Sequence, residues 1–440
     1  MGIENILFIV AFGAAVFLFS KNLRKIIRNI NLGRDVDLSD NKAERWKKML
    51  LVAIGQSKMV VKPVSGLMHI VVYAGFVIIN IEVLEIIIDG IFGTHRIFAE
   101  PLGGFYDFLI GSFEILAFLV LIAISVFFVR RNFMTIKRFG MKEMLGWPKT
   151  DANIILIVEV LLMGAFLNMN AADQILQVRS VEHYVVAGSY PISQFLVPVL
   201  EGLSTGTLVL LERSTWWFHI LGILAFLNYL PYSKHFHIML AFPSVFYSKL
   251  KPRGEFDNMD SVKKEVEMMF DPDADPYAVP AEPEGPIERF GAKDVTDLNW
   301  KQIMDAYSCT ECGRCSEQCP ASQTGKLLSP RKIMMDTRDR VEEVGKGIDK
   351  NGVEHKDGKS LLGDFISEEE LWACTTCNAC VDACPIELNP LSIIMDMRRS
   401  LVMEESKVPS ELAGMLTNIE NNGAPWQFSQ TDRANWINEK

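Results

Sequence analysis

CTECGRCSEQCP, from Cys309 to Pro320, and CTTCNACVDACP, from Cys374 to Pro385, decide how the carboxyl-terminal half of this chain is read. Each run spaces four cysteines with two, two and three intervening residues and closes on a proline. Three thiolates on one tight loop can cap three corners of a [4Fe-4S] cubane, and the fourth, displaced to the start of a helix, points toward the other cluster. Ligation is then reciprocal. One cluster takes Cys309, Cys312, Cys315 and Cys384, and the other takes Cys374, Cys377, Cys380 and Cys319. Zinc prefers two well-separated pairs and has no use for a third close cysteine with a crossing fourth. All eight cysteines of the chain lie in these two runs, which points to metal ligands in a reducing compartment rather than to a disulfide framework. Gly313 and Ala379, small residues beside the cysteines, let backbone amides approach the sulfurs.

Between the runs, SPRKIMMDTRDRVEEV reads as a helix with Pro330 in its first turn, and SEEELWACTTC opens another with Ser367 and Glu370 as a capping box. The cysteine-bearing domain, residues 290–400, is therefore expected to be mostly helical. GKGIDKNG lacks the lysine context of a phosphate loop and reads as a flexible loop. Upstream, residues 251–289 are rich in proline and acid, which forbids a long helix and favours an extended linker. Within it, SVKKEVEMMF can form a short amphipathic helix. Residues 401–440 form a tail without cysteine, expected to dock a partner.

The chain has 440 residues, 49% of them hydrophobic and 22% charged, and its long apolar runs fall almost entirely in residues 1–250. A bilayer core of about 30 Å needs roughly 20 apolar residues of helix. Five stretches meet this: Ile3 to Phe19, Val64 to Ile88, Phe105 to Val129, Ile154 to Ala171 and Thr207 to Leu230. The first lacks a preceding positive charge and a small-residue cleavage site, so it reads as a retained anchor. Lys and Arg crowd the connections at 21–62 and 130–142 and the exit at 234–253. By the positive-inside rule the amino terminus lies outside and the cysteine half is cytoplasmic. A net charge of −10 argues against nucleic acid as a partner.

Six of the seven histidines lie in or beside this half: His69, His95, His183, His219, His235 and His237. Ionisable groups at membrane depth are functional suspects by default. His69, near the inner end of the second span, and His237, at the inner end of the fifth, occupy one layer and could clamp one iron, as the axial ligands of a haem b. His219 and His237 are 18 residues apart, five turns of a continuous helix or about 27 Å. That suits one ligand near each membrane surface, with His235 pointing elsewhere. An outer haem at His219 would need a partner from an outside connection, His95 first and His183 second; surface or hydrogen-bonding roles are the plain alternative. Glu82, Glu85 and Asp89 follow one helical face, with Glu114 and Glu159 on neighbouring spans. A quinol losing protons could use such carboxylates, although pairing inside the bundle explains them equally, and no quinone ligand is assigned.

The stretch HILGILAFLNYLPYSKHFH, from His219 to His237, resembles the last helix of the nitrate reductase gamma subunit family of b-type cytochromes, and GLMHIVVYAGF around His69 resembles that family's second helix. Two-haem members carry a further histidine ten residues after the first, where this chain has Ile79. Residues 290–400 resemble the alpha-helical dicluster ferredoxin of succinate dehydrogenase iron–sulfur subunits and of the heterodisulfide reductase C type. Together the resemblances imply an all-α protein: a five-helix transmembrane cytochrome b bundle (1–250) followed by a cytoplasmic alpha-helical ferredoxin with two [4Fe-4S] clusters. They imply an oxidoreductase of the bacterial inner membrane, linking the quinone pool, menaquinone by family, to a cytoplasmic CCG-domain or electron-transfer-flavoprotein-linked subunit. The other readings are a redox-driven proton or ion translocator and a membrane-anchored iron–sulfur sensor.

Overall fold

The computed structural model describes residues 2–272 and 289–438. The apolar runs form five long helices, Ile3–Ile30, Pro63–Phe92, Gly104–Asn132, Trp147–Val178 and Thr205–Tyr229. Each is long and apolar enough to cross a membrane. Among the described residues there is no β-strand, only isolated bridges between Arg34 and Asn299 and between Leu362 and Ile366. Local chemistry sets the helix starts: Pro63 and Pro148 stand in first turns, and Ser204 Oγ accepts the Thr207 N–H at 3.2 Å. Large apolar side chains such as Val10, Phe17, Leu67, Phe108 and Leu210 face outward, as a lipid solvent permits. Close helix contacts fall at small residues, since lipid gives no hydrophobic drive for association. A β-carbon on Gly75 would lie 2.6 Å from Val120, and one on Gly222 2.7 Å from Leu162.

The first helix runs further than its apolar run. Its 28 residues extend about 42 Å, well beyond a hydrocarbon core of about 30 Å. The excess turns, KNLRKIIRNI, enter the cysteine-bearing half, where Ile26 and Asn29 are buried. Asn29 Nδ2 donates to Tyr307 Oη at 2.9 Å, and Lys25 and Arg28 both pair with Asp349. This docking corrects the expectation of a flexible loop at GKGIDKNG. Those residues complete the helix Pro330–Asn351, and a β-carbon at Gly345 would lie 2.5 Å from Asn29 Oδ1. The glycine marks a helix crossing.

A second correction concerns the fifth span. The α-helix stops at Tyr229; 3₁₀ turns at Leu230–Tyr232 and Lys234–Phe236 follow, and a new helix begins at His237 and runs to Phe246. Pro231 has no N–H to continue the ladder. Ser233 is extended, with its Oγ accepting the His235 N–H at 3.0 Å. Asp151 of the fourth span holds the turn, accepting from Tyr229 Oη at 2.5 Å, Ser233 Oγ at 2.7 Å and Lys234 N–H at 3.1 Å. The five-turn alignment of His219 with His237 therefore does not exist.

The cysteine half is built from short helices and irregular turns beside the longer helices Trp300–Ser308, Pro330–Asn351 and Pro390–Arg399. The expected caps are present: Pro330 in a first turn behind Ser329, and Ser367 with Glu370 as a capping box. Of the linker, Asp260–Phe270 is helical, while residues 273–288 lie outside the described residues. The tail carries the helix Ser410–Asn422, with no buried residue. One apolar core joins the halves: Ile26, Leu230 and Phe236 cluster with Ile303, Ile333, Ile393 and Cys309.

Candidate metal centres

The two cysteine runs fold alike. Glu311 and Thr376, two residues after the first cysteine of each run, have φ of +55° and +56°, and Gly313 and Asn378 have φ of +74° and +60°. These left-handed positions turn the amides inward: Glu311 N–H reaches Cys309 Sγ and Thr376 N–H reaches Cys374 Sγ, both at 3.4 Å. Leu388 N–H likewise donates to Cys384 Sγ at 3.3 Å. The counterpart of Gly313 in the second loop is Asn378. Each loop leads into a short helix, Arg314–Gln318 or Ala379–Ala383, and these two pack against each other. The last cysteine of each run is thereby carried across to the other loop.

The thiol environments follow the crossing. Burial pushes the Cys309 thiol up to about 12, and Cys312 adds to the effect. Burial raises Cys384 as well, and its cysteine neighbours are Cys312 and Cys309 of the first run. Burial raises Cys380 to about 12, with Cys374, Cys319 and Cys377 as its neighbours. Cys319, Cys374, Cys377 and Cys380 also line one small cavity, with Leu328, Pro330 and Asn378. Two sulfur quartets with amides aimed at their sulfurs suit two cubanes, and metal would displace the protons that burial holds on the thiols. Each quartet has two buried cysteines, Cys309 and Cys384 in one and Cys319 and Cys380 in the other, and the quartets differ in that Cys377 of the second is exposed.

Three histidines gather where the bundle meets this half. His69 Nδ1 is buried without a partner. His237 Nδ1 lies 3.1 Å from Lys234 O, and the His235 ring is 5.4 Å from that of His237. Burial first, then the proximity of His237 and His69, lowers His235 to about 3, leaving its imidazole neutral. This corrects the expectation that His235 points elsewhere. The break at Pro231 brings it into the group, and Pro231 with Ser233 was the available signal. His237, with Nδ1 at the Lys234 carbonyl, has its other ring nitrogen to offer a metal, whereas at His69 it is Nδ1 itself that is unpartnered.

The first cysteine loop lies against this histidine group. Lys234, between Ser233 and His235, forms an ion pair with Glu311, and Arg338 Nη1 donates to the other Glu311 oxygen at 2.8 Å. Burial alone would raise the Glu311 carboxyl, but Lys234 and Arg338 hold it below its ordinary value. Arg314, next to Cys315, donates to Lys58 O at 3.0 Å and lies near His69.

The other histidines of the bundle have partners elsewhere. His219 is buried, with Nδ1 3.0 Å from Leu162 O and its ring 6.0 Å from Phe166. His95 Nε2 lies 3.3 Å from Asp173 Oδ1 and its Nδ1 accepts the Val185 N–H at 3.3 Å, so both ring nitrogens are engaged. The His183 ring lies 5.5 Å from that of His95, tilted by 51°. Glu85 accepts from Tyr106 Oη at 2.8 Å, and Glu114 accepts from Asn170 at 3.1 Å, so these membrane acids are tied into the bundle.

Residues 308–388 match the family model of the 4Fe-4S dicluster domain. The probable iron-sulfur-binding oxidoreductase FadF of Bacillus subtilis is 29% identical over 99% of this chain and 61% of its own length. The EtfAB:quinone oxidoreductase of Syntrophomonas wolfei is 27% identical over 92% of this chain and 56% of its own length. One component of the ferredoxin/F(420)H(2)-dependent CoB-CoM heterodisulfide reductase of Methanosarcina acetivorans is 31% identical over 27% of this chain and 60% of its own length. The chain thus spans only about 60% of the full-length relatives it matches. No solved structure matches. Residues 308–388 are thus similar to an iron–sulfur dicluster domain, and the chain is related to electron-transfer iron–sulfur oxidoreductases.

Proposed function

We propose that the chain is a membrane-bound electron-transfer subunit that connects the quinone pool with a soluble redox partner through one haem b and two [4Fe-4S] clusters. In this reading His69 and His237 hold the haem. Cys309, Cys312, Cys315 and Cys384 hold one cluster, and Cys319, Cys374, Cys377 and Cys380 hold the other. Bound iron in these three sites supplies reversible one-electron chemistry at potentials set by ligands, hydrogen bonds and burial. The chain contributes position. The single observation that carries the reading is the contact of the histidine turn with the first cysteine loop through the Lys234–Glu311 pair. In this reading electrons pass between the histidine site and the cluster at Cys309, Cys312, Cys315 and Cys384, and then the cluster that includes the exposed Cys377.

The basic connections lie on the docked face, which supports a cytoplasmic cysteine half under the positive-inside rule. A relative named as a quinone oxidoreductase of EtfAB supports a quinone on the membrane side and a flavoprotein or CCG-type subunit on the other. The test is anaerobic purification followed by a pyridine haemochrome assay, iron and sulfide counting, and addition of a quinol. Roughly eight cluster irons, one haem b and quinol-dependent haem reduction are expected. Protein holding zinc and no porphyrin overturns the reading.

A further inference from the structure

Two arginines end the helix Pro390–Arg399, and their surroundings differ. Arg399 pairs with Asp396 at 2.9 Å. Arg398 is half-buried and meets no carboxylate among the described residues. Its bonds go to another element rather than to its own helix end. Nε donates to Leu371 O at 3.1 Å, and Nη2 donates to Leu371 O and Cys374 O, both at 2.5 Å. The guanidinium carbon lies 4.9 Å from the centre of the Trp372 ring. The helix that carries it is firmly set, with Ile393, Ile394 and Met397 buried and Asn389 Oδ1 accepting the Ser392 N–H at 3.0 Å. A cation is thus delivered to the entry of the second cysteine loop.

An indole face and two carbonyls solvate this cation without cancelling its charge. With little water to screen it, such a charge acts on its neighbours at full strength. The first loop is arranged differently: at Glu311, the counterpart of Thr376, a carboxylate offsets Lys234 and Arg338. Burial raises the Cys374 thiol, and the Thr376 N–H and then Arg398 work against that rise. We infer that Arg398 is a positioning residue for electron transfer, whose uncompensated charge raises the reduction potential of the cluster at Cys319, Cys374, Cys377 and Cys380. The inference rests on the proposed ligation of that cluster and adds what sets its potential. Reduction brings one electron to this site from the neighbouring Cys309 site or from a soluble partner, which is oxidised; no bond forms or breaks, and Arg398 keeps its proton. A fixed cation lowers the free energy of the more negative, reduced state. The electron is thereby favoured on the quartet that includes the exposed Cys377, within reach of a soluble partner.

The test uses the full-length holoprotein in lipid nanodiscs, poised anaerobically over a range of potentials. Both cluster resonances are followed by electron paramagnetic resonance in the wild type, Arg398→Gln, Arg398→Met and Arg398→Lys. In the two neutral variants the reduced-to-oxidised ratio of the second cluster at a fixed ambient potential is expected to fall about ten-fold, equivalent to about 59 mV for one electron, while the first cluster is unmoved. Lysine keeps the charge but not the planar fork, so Arg398→Lys is expected to recover most of the potential. A wild-type midpoint in the neutral variants overturns the inference. So does failure of Arg398→Lys to recover the potential, or loss of the second resonance from both neutral variants, since either makes the arginine a mechanical anchor. Absence of a second resonance from the wild type overturns the ligation reading itself.

Discussion

At Gly313 the backbone sits at φ +74°, and a β-carbon would fall inside contact distance of the buried Arg331 guanidinium. Its counterpart Asn378 holds φ +60° with a side chain in place, as asparagine can. Gly313→Ala is therefore expected to cost about 1–2 kcal/mol in backbone strain, beyond displacing Arg331, and to lower iron loading. Asn378→Gly is expected to be nearly neutral. Thermal midpoints and iron-to-protein ratios of the two variants check the asymmetry. Crossed ligation makes a sharper forecast. Cys384→Ser, although in the second run, is expected to abolish the resonance of the cluster at Cys309, Cys312 and Cys315, and Cys319→Ser that of the cluster at Cys374, Cys377 and Cys380, read by electron paramagnetic resonance of the reduced protein. The two matching cysteine loops were legible because their spacing is written in two short contiguous runs. His235 was not, because its direction depends on Ser233 and on Asp151 from a helix some eighty residues earlier in the chain.

Among the elements, the turn from Leu230 to Phe236 carries the greatest burden, since it sets both His235 and His237. Asp151 is its anchor, buried and accepting from three groups of the turn. Asp151→Ala leaves those donors unmet at a cost of about 1–3 kcal/mol. The variant is expected to lose haem at the His69 and His237 site while retaining cluster iron, measured by the haemochrome and iron assays side by side. The existence of all five spans was readable from apolar length. The end of the first was not: that helix runs eleven residues past Phe19 because Ile26 and Asn29 find a core beyond the membrane. The end of the fifth span near Leu230 was readable from its apolar length, but the direction the chain takes after Pro231 was not, because it depends on the extended Ser233.

On the scale of the whole molecule, the halves are held by the inserted end of the first helix and by a ring of ion pairs. Gly345→Val would drive a branched side chain into Asn29, and it is expected to loosen the docking, seen as faster amide exchange at Ile26–Ile30. The ring is also pH-sensitive. Hydrogen bonds from Lys25 and Arg28 lower the Asp349 carboxyl. Burial would raise Glu387 and Glu317, but Lys58, Lys48 and Arg253 around the first, and Arg138 and Lys62 around the second, hold both low. A depressed carboxyl stabilises the docked form above its ordinary value of about 4, and that contribution disappears as pH falls through the docked value. Exchange at Ile26–Ile30, corrected for intrinsic rate, is thus expected to be constant from neutrality down to about pH 4 and to rise below it. The two-part architecture was legible from composition, but the intimacy of the parts was not, because Gly345 and Asn29 are unremarkable letters until they touch. The apolar core that unites Ile26, Leu230 and Phe236 with Ile303 and Ile333 does not stop at the bilayer surface. A truncated gene product beginning at residue 289 would consequently emerge with a greasy wound where the bundle belongs, and would collect in inclusion bodies or demand detergent despite lacking any spanning helix.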